Sequence, residues 1–465
     1  MKINKTLPIL ATMLTSLTVA GCFGGGRNTL NIFEVPEGGF DTTQDVEIMF
    51  YHTMNKNLQD VLDAYIEDFQ DMYPNVTVYH RAIGGYDDVE DQMTKALSAG
   101  ENECDIAYCY PDHLASYNKA NAIVALEKLV DNTTPITADS SEVFGFTAEQ
   151  KADFIGAYWQ EGYSLNDDHF YCLPFSKSSE VMYYNKTFFD EHELKVPTTW
   201  DEMESVCKEI KKIDPNCIPL GYDSSSNLFI TLAEQHQSGY TTNDPENRYV
   251  FNNDKNKEII SKFAKYYDEG LMTTKALHGS YTSSLFISTD ALRSYISIGS
   301  TAGATNQIPA VDENTGKRPF EVGIARIPQV DVNNGKVISQ GPDVCIFNSG
   351  DDQKIMASWL FVKYLTTSVE FQAQFSMSSG YTPVIKSVET NPVYAEFLAK
   401  ADGGANLAAL STKTCLEQED WYFTSPAFDG SSDARNEVGY LLDAVFAGTK
   451  TVDDAFEDAY NNCVY

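Results

Sequence analysis

The residues able to do chemistry in this chain are tyrosines, short hydroxyls, a few acids and an arginine, and they gather at turns. Gly84-Gly85-Tyr86 sets an aromatic ring where an apolar strand gives way to a helix. Tyr110-Pro111-Asp112 closes another apolar run, and His52 closes the first. Gly299–Thr305 (GSTAGAT) offers Ser300 and Thr301 among residues small enough to let backbone approach a ligand. Trp200 follows Pro197-Thr198-Thr199. This set suits recognition without bond-making. A sugar needs aromatic plates for its apolar faces and short polar groups for its hydroxyls. A phosphate needs an arginine, hydroxyls and free N–H groups at helix starts. The residue types serve either solute.

Each candidate also has a purely structural use. Tyr86 can face a cleft or pack the first turn of its helix. Asp112 can bond a solute hydroxyl or cap a helix. Trp200 can stack on a solute or staple the helix that Thr199 and Glu202 would close as a capping box. Bond-making chemistry has less support. The chain contains no CxxC, HExxH, GxSxG or Walker A run, and His52, His80 and His113 are not spaced as metal ligands. Sixty-seven acidic residues allow many imagined carboxylate pairs, so a glycosidase reading has no specific signal. No catalytic residue, metal or cofactor is expected.

The elements that must position these groups follow from periodicity. Val46–His52 reads as a strand, and Leu58, Val61, Leu62, Tyr65, Ile66, Phe69 and Met72 recur at helical spacing until Pro74. Val76–His80 and Ile106–Cys109 read as strands, with a helix over 87–99 between them. Strand, helix, strand, helix, strand is a parallel α/β unit, whose ligands sit beyond the carboxyl ends of the strands. That rule singles out His52, Tyr86, Tyr110 and Asp112. Helices are expected at 200–213, 226–237, 256–267, 351–366, 438–446 and 452–460, and strands at 294–298, 322–327 and 337–347. Segment 131–150 is polar, a surface insertion or a passage between domains. Strand-rich stretches at the start and near 290–345 suggest two lobes, one from 45–150 plus about 290–345, the other from about 151–289 plus 346–465.

A chain of 465 residues exceeds one ordinary core, and 43% hydrophobic residues can fill two. The net charge of −34 repels nucleic acid and anionic lipid. Met1–Lys5 is basic and Leu7–Ala20 is uncharged but too short to span a bilayer, the layout of a signal peptide over 1–21. Val19-Ala20-Gly21-Cys22 resembles a bacterial lipobox, which implies cleavage before Cys22 and lipid on its sulfur, with 22–44 as a tether. The other eight cysteines are compatible with thiols or disulfides.

Four stretches in order carry a wider resemblance: Phe69–Gly100 with its Gly-Tyr-Asp-Asp, LPFSKSSEVMYYNKTFF leading to Pro197–Glu202, Ser358–Val384 ending in Gly-Tyr-Thr-Pro-Val, and the tail 427–455 with Arg435. Behind a lipobox, the chain resembles the extracellular solute-binding proteins of bacterial ABC importers, in the sugar-binding group. Its nearest look is to the glycerol-3-phosphate and glycerophosphodiester binders. The resemblance implies two α/β lobes joined by crossing strands, a solute trapped between them by hinge closure, and delivery to the transmembrane permease subunits. It implies a monomer held to the outer face of the membrane by its lipid alone. It adds Ser178, Ser179, Gly341, Tyr381 and Arg435 to the candidate contacts. Lys177 and Glu180 depart from the relatives' serine run and are expected to retune specificity. A carbohydrate is the default solute, with glycerol-3-phosphate or a glycerophosphodiester as the alternative.

Overall fold

The computed structural model describes residues 31–137, 140–404 and 406–464. The signal peptide and Cys22 lie outside them. Among the described residues no helix is long and apolar enough to cross a membrane.

The strands are β1 (Val46–His52), β2 (Val76–Ala82), β3 (Ile106–Cys109), β4 (Cys172–Pro174), β5 (Ser178–Asn185), β6 (Leu220–Tyr222), β7 (Met272–Thr274), β8 (Ile296–Ser300), β9 (Val322–Ala325), β10 (Val337–Gln340), β11 (Asp343–Ile346) and β12 (Tyr422–Phe423). They form two sheets, ordered β2-β1-β3-β11-β4 and β12-β10-β5-β8-β6-β7, with β9 also on β5. In the first sheet β1, β2 and β3 are parallel, as the alternation of strands and helices requires. The helix Lys56–Met72 starts where the Asn55 side chain accepts the Leu58 N–H and buries Leu58, Val61, Leu62, Ile66 and Phe69.

Each sheet has its own core. Phe50, Phe69, Phe175, Phe361 and Phe371 belong to the first, and Met182, Tyr222, Phe229, Ile296, Val438 and Phe456 to the second. This grouping departs from the expected lobes. β8, β9 and β10 pair with β5 in the second sheet rather than joining the first. The helix Asp352–Thr367 packs on the first core rather than the second. Among the described residues lobe 1 therefore takes 31 to about 176 and 342 to about 399, lobe 2 takes the rest, and Phe33 and Phe40 of the expected tether are buried in the lobe 1 core. Strand pairing is a long-range choice that local periodicity does not carry. The described residues of segment 131–150 are no passage between lobes: they fold onto lobe 1, where the Phe144 carbonyl accepts the Trp359 indole N–H at 2.8 Å.

The expected strand 337–347 is two strands, β10 in lobe 2 and β11 in lobe 1. The break falls at Gly341-Pro342. Gly341 has φ +91°, and a Cβ there would lie 2.4 Å from the Ser176 carbonyl oxygen. Pro342 has no N–H to continue a ladder. Beside it the chain crosses in the other sense from β4 to β5, and a third crossing follows residue 399, where Gly403 O accepts from Val322 N.

Lys177 lies at this junction with its side chain fully buried. Its Nζ donates to Glu161 Oε2 at 2.7 Å, to the Gly341 carbonyl at 3.0 Å and to Asp343 Oδ1 at 3.3 Å, while Ser339 Oγ donates to Glu161 Oε1 at 2.6 Å. Burial opposes the ammonium charge, but Asp343 and Glu161 outweigh it and hold the Lys177 pKa above its ordinary value. Lys177 is thus a hinge residue and not a solute contact. Removing one partner of a buried ion pair strands the other. Lys177→Met should lower stability by about 3–5 kcal/mol in urea unfolding, and replacing Lys177, Glu161 and Asp343 together by apolar residues should cost clearly less.

Candidate functional site

Between the lobes lie two connected cavities of about 420 and 900 Å³, which share Tyr86, Tyr110, Asp223, Tyr281, Ser300 and Gln340 as lining. Together they are large enough for a small organic solute. Lobe 1 supplies one wall from the ends of its strands. After β2 the chain turns through Gly84, at φ +25°, and Tyr86 opens the helix Tyr86–Ala99. Tyr110 follows β3 at the N-cap of the helix Pro111–Lys119, which carries Asp112 in its first turn. The Tyr86 and Tyr110 ring centroids are 4.7 Å apart, and the Tyr86 hydroxyl bonds that of Tyr381 at 2.9 Å. Burial pushes both Tyr86 and Tyr110 well above the ordinary phenol range, so each hydroxyl keeps its proton.

Lobe 2 supplies the opposite wall. Asp223 follows β6, and its Oδ1 accepts the Thr282 N–H at 2.8 Å and hydroxyl at 2.7 Å. Gly299 is needed beside it, because a Cβ there would meet Asp223 Oδ2 at 2.5 Å. Tyr281 is 59% exposed, with Lys275 Nζ 3.7 Å from its ring centroid. On the floor, Glu180 accepts from the Tyr222 hydroxyl at 2.5 Å and from Asn227 Nδ2 at 2.9 Å. Asn227 Oδ1 in turn accepts from Arg435. Burial pushes the Glu180 carboxyl up to about 7, against the lowering effect of these hydrogen bonds and of Arg435.

The period of two along β5 sorts the serines. Ser178 and Glu180 line the cavities, whereas Ser179 faces away and donates from Oγ to the Ile338 carbonyl at 2.8 Å. Tyr86, Tyr110, Asp112, Ser178, Ser300, Tyr381 and Arg435 therefore meet at the cleft. Five expected contacts do not line it. His52 is buried, with Nε2 2.8 Å from His80 Nδ1 and its Nδ1 accepting the Met54 N–H at 3.1 Å. Burial and His80 push its pKa down to about 3, so it is a neutral strut. Ser179 is used by the β-ladder, and Thr301 Oγ1 accepts the Ser179 N–H at 3.2 Å. Trp200 is in the lobe 2 core, donating to Gln235 Oε1 at 2.8 Å, beside a separate hollow of about 580 Å³. Gly341 belongs to the hinge.

Glu180, Asp223, Asn227, Lys275 and Tyr281 are cleft residues that sequence reasoning did not propose as contacts. Asp223 carried a usable signal, since it directly follows a short apolar stretch, as Tyr110 follows β3. Tyr281 carried none, because it comes from a loop. Two cavity-lining residues carry a buried polar atom without a hydrogen-bond partner among the described residues, Gln307 at Oε1 and Ser425 at Oγ. The charge balance is acidic, with Asp87, Asp112, Glu161, Glu180 and Asp223 lining the smaller cavity against Lys275 and Arg435. All eight cysteines of the described chain are free, and seven are buried.

Two lobes on crossing strands with a polar, tyrosine-walled cleft define a protein that encloses a small solute. The chain belongs to the family described as bacterial extracellular solute-binding protein, whose model matches residues 64–401. It is 25% identical over 365 residues to the maltotriose-binding protein of Pyrococcus abyssi, covering 75% of this chain and 70% of that one. It is 22% identical over 402 residues to the multiple sugar-binding protein of Streptococcus mutans, covering 83% and 84%. The fold matches UgpB from Mycobacterium tuberculosis in complex with glycerophosphocholine at a TM-score of 0.69, with 16% identity over 90% of this chain and 97% of that one.

Glu180 gives a signed test. Its ordinary pKa of 4.5 rises to about 7 on folding, so the native state binds this proton more tightly than the unfolded chain. Its contribution is then full below about pH 4.5 and lost as pH rises through about 7, by up to ~3 kcal/mol. In urea titrations the stability of wild type minus that of Glu180→Gln should fall across this window. A difference that grows with pH contradicts the assignment.

Proposed function

We propose that this protein captures an uncharged carbohydrate outside the membrane and delivers it to an ABC importer, held to the membrane by lipid on Cys22. The observation that carries the reading is the composition of the cleft. Tyr86, Tyr110, Tyr381 and Tyr281 offer aromatic faces, and Asp112, Asp223, Asn227, Ser178 and Ser300 offer short polar groups for hydroxyls. The carboxylates outnumber the cations, which disfavours an anion. The similarity to maltotriose- and multiple-sugar-binding proteins supports the same solute class. Solute capture requires no bond to be made or broken, and the solute is released unchanged.

Arg435 at the cleft and the likeness to UgpB support a second reading, a glycerol phosphate or glycerophosphodiester. Calorimetry with maltotriose, glycerol-3-phosphate and glycerophosphocholine separates the two. A neutral oligosaccharide should bind and raise the melting temperature, by the equivalent of about 2.7 kcal/mol at a hundredfold excess over Kd. Binding of the phosphates alone rejects the carbohydrate reading, and hydrolysis of the solute rejects transport. Asp223→Ala should weaken oligosaccharide binding by about ten- to a hundredfold, the worth of a hydrogen bond to a charged group. Cys22→Ala should abolish metabolic labelling with palmitate and release the protein from the membrane fraction.

A further inference from the structure

Arg435 is a poor fit to a cleft for neutral solutes until its surroundings are followed inward. Its guanidinium donates to Asn227 Oδ1. The same amide donates from Nδ2 to Glu180 Oε1 at 2.9 Å, and the other oxygen of Glu180 takes the Tyr222 hydroxyl at 2.5 Å. Glu180 is 1% exposed. An ionised carboxylate only accepts, so it fixes which way the Asn227 amide faces and presents Oδ1 to Arg435. A flipped amide would set N–H against N–H at Arg435. The buried carboxylate and the cleft guanidinium are thereby joined through one amide, both at the lining of the smaller cavity.

We propose that Glu180 is a specificity-determining residue, which through Asn227 orients Arg435 and cancels its charge so that the cleft selects uncharged over anionic solutes. The inference rests on the solute-capture reading of the cleft. Arg435 then acts as a hydrogen-bond donor to hydroxyls rather than as an anion receptor. Discharging Glu180 unmasks the guanidinium. The groups facing Glu180 are Tyr222 and Asp223 at the end of β6, Asn227 on the helix Ser225–Gln235, Arg435 on the helix Ser431–Phe446, and Ser300, its register partner on β8. Gln418 Nε2 donates to its main-chain carbonyl at 3.1 Å. Its carboxyl titrates near 7, so acidification and the Gln substitution should act alike.

Glu180→Gln separates charge from orientation. The Gln oxygen can still accept from Asn227 while its amide donates to the Tyr222 hydroxyl, which can accept. The probes are maltotriose and glycerophosphoglycerol, a phosphodiester whose single charge is constant between about pH 5 and 9. At about pH 8 the affinity ratio of phosphodiester to maltotriose should rise at least ~10-fold in E180Q, the order of one unmasked charge interaction. In wild type the ratio should climb as pH falls through about 7, and in E180Q it should stay level. A ratio unchanged by the substitution, or a wild-type ratio flat with pH, overturns the proposal. A solute-free check uses ¹³C-labelled glutamate. The carboxyl signal missing in E180Q should titrate near pH 7 and shift to higher pH in Arg435→Met. No shift in Arg435→Met overturns the pairing. Failure of both probes to bind would count against the carbohydrate reading, with the carboxyl titration still deciding whether Glu180 and Arg435 are coupled.

Discussion

The structure depends on one buried cation. Lys177 stands where two strands pass between the lobes in opposite senses, and its ammonium gathers Glu161 and Asp343 from lobe 1 with the Gly341 carbonyl at the end of β10. A charge so deeply buried is tolerable only with several close partners, and that requirement fixes the crossing strands relative to each other. Ser339 and Gln340, just before the crossing, are part of the cavity floor. The buried crossing therefore adjoins the floor of the cleft. Across the cleft the lobes touch through weaker pairs, Lys119 with Asp429 at 2.7 Å and Ser432 with Glu90 at 3.3 Å. The first of these is exposed to solvent and contributes little. The contacts at the crossing are thus buried and charged, whereas those across the mouth of the cleft are few and partly exposed.

The cleft is built by sharing its donors and acceptors between structure and site. Asp223 gives Oδ1 to Thr282 and keeps Oδ2 beside Gly299, the Tyr86 and Tyr381 hydroxyls hold each other, and Asn227 links Glu180 to Arg435. These polar side chains are held by neighbours before a solute arrives, which lowers the ordering cost of binding.

Much of this could be read from the residues. The parallel opening unit, the strand ends that carry Tyr86, Tyr110 and Asp112, and the helix Trp200–Ile213 with its Thr199–Glu202 box all appear where periodicity and capping put them. Ser178 and Arg435 reach the cleft where family resemblance placed them. Errors arose where two residues of one motif part company. Ser178 and Ser179 look alike as neighbours, but a strand turns successive side chains to opposite faces. Ser300 and Thr301 share a loop, but Thr301 turns inward to hold β5. His52 ends a strand as expected, yet His80 on the adjacent strand takes its ring.

The sequence by itself determined the local elements, the acidic character of the chain and the residue types available to a small solute, because these follow from spacing and side-chain chemistry within short windows. Only the tertiary structure decided which strands share a sheet, that 337–347 breaks at Gly341 to serve both lobes, and that Lys177 belongs to the hinge while Glu180 lies under Arg435. The reason is physical: a buried charge is defined by its partners, and the side chains that hydrogen-bond those of Lys177 and Glu180 come from segments up to 166 and 47 residues away.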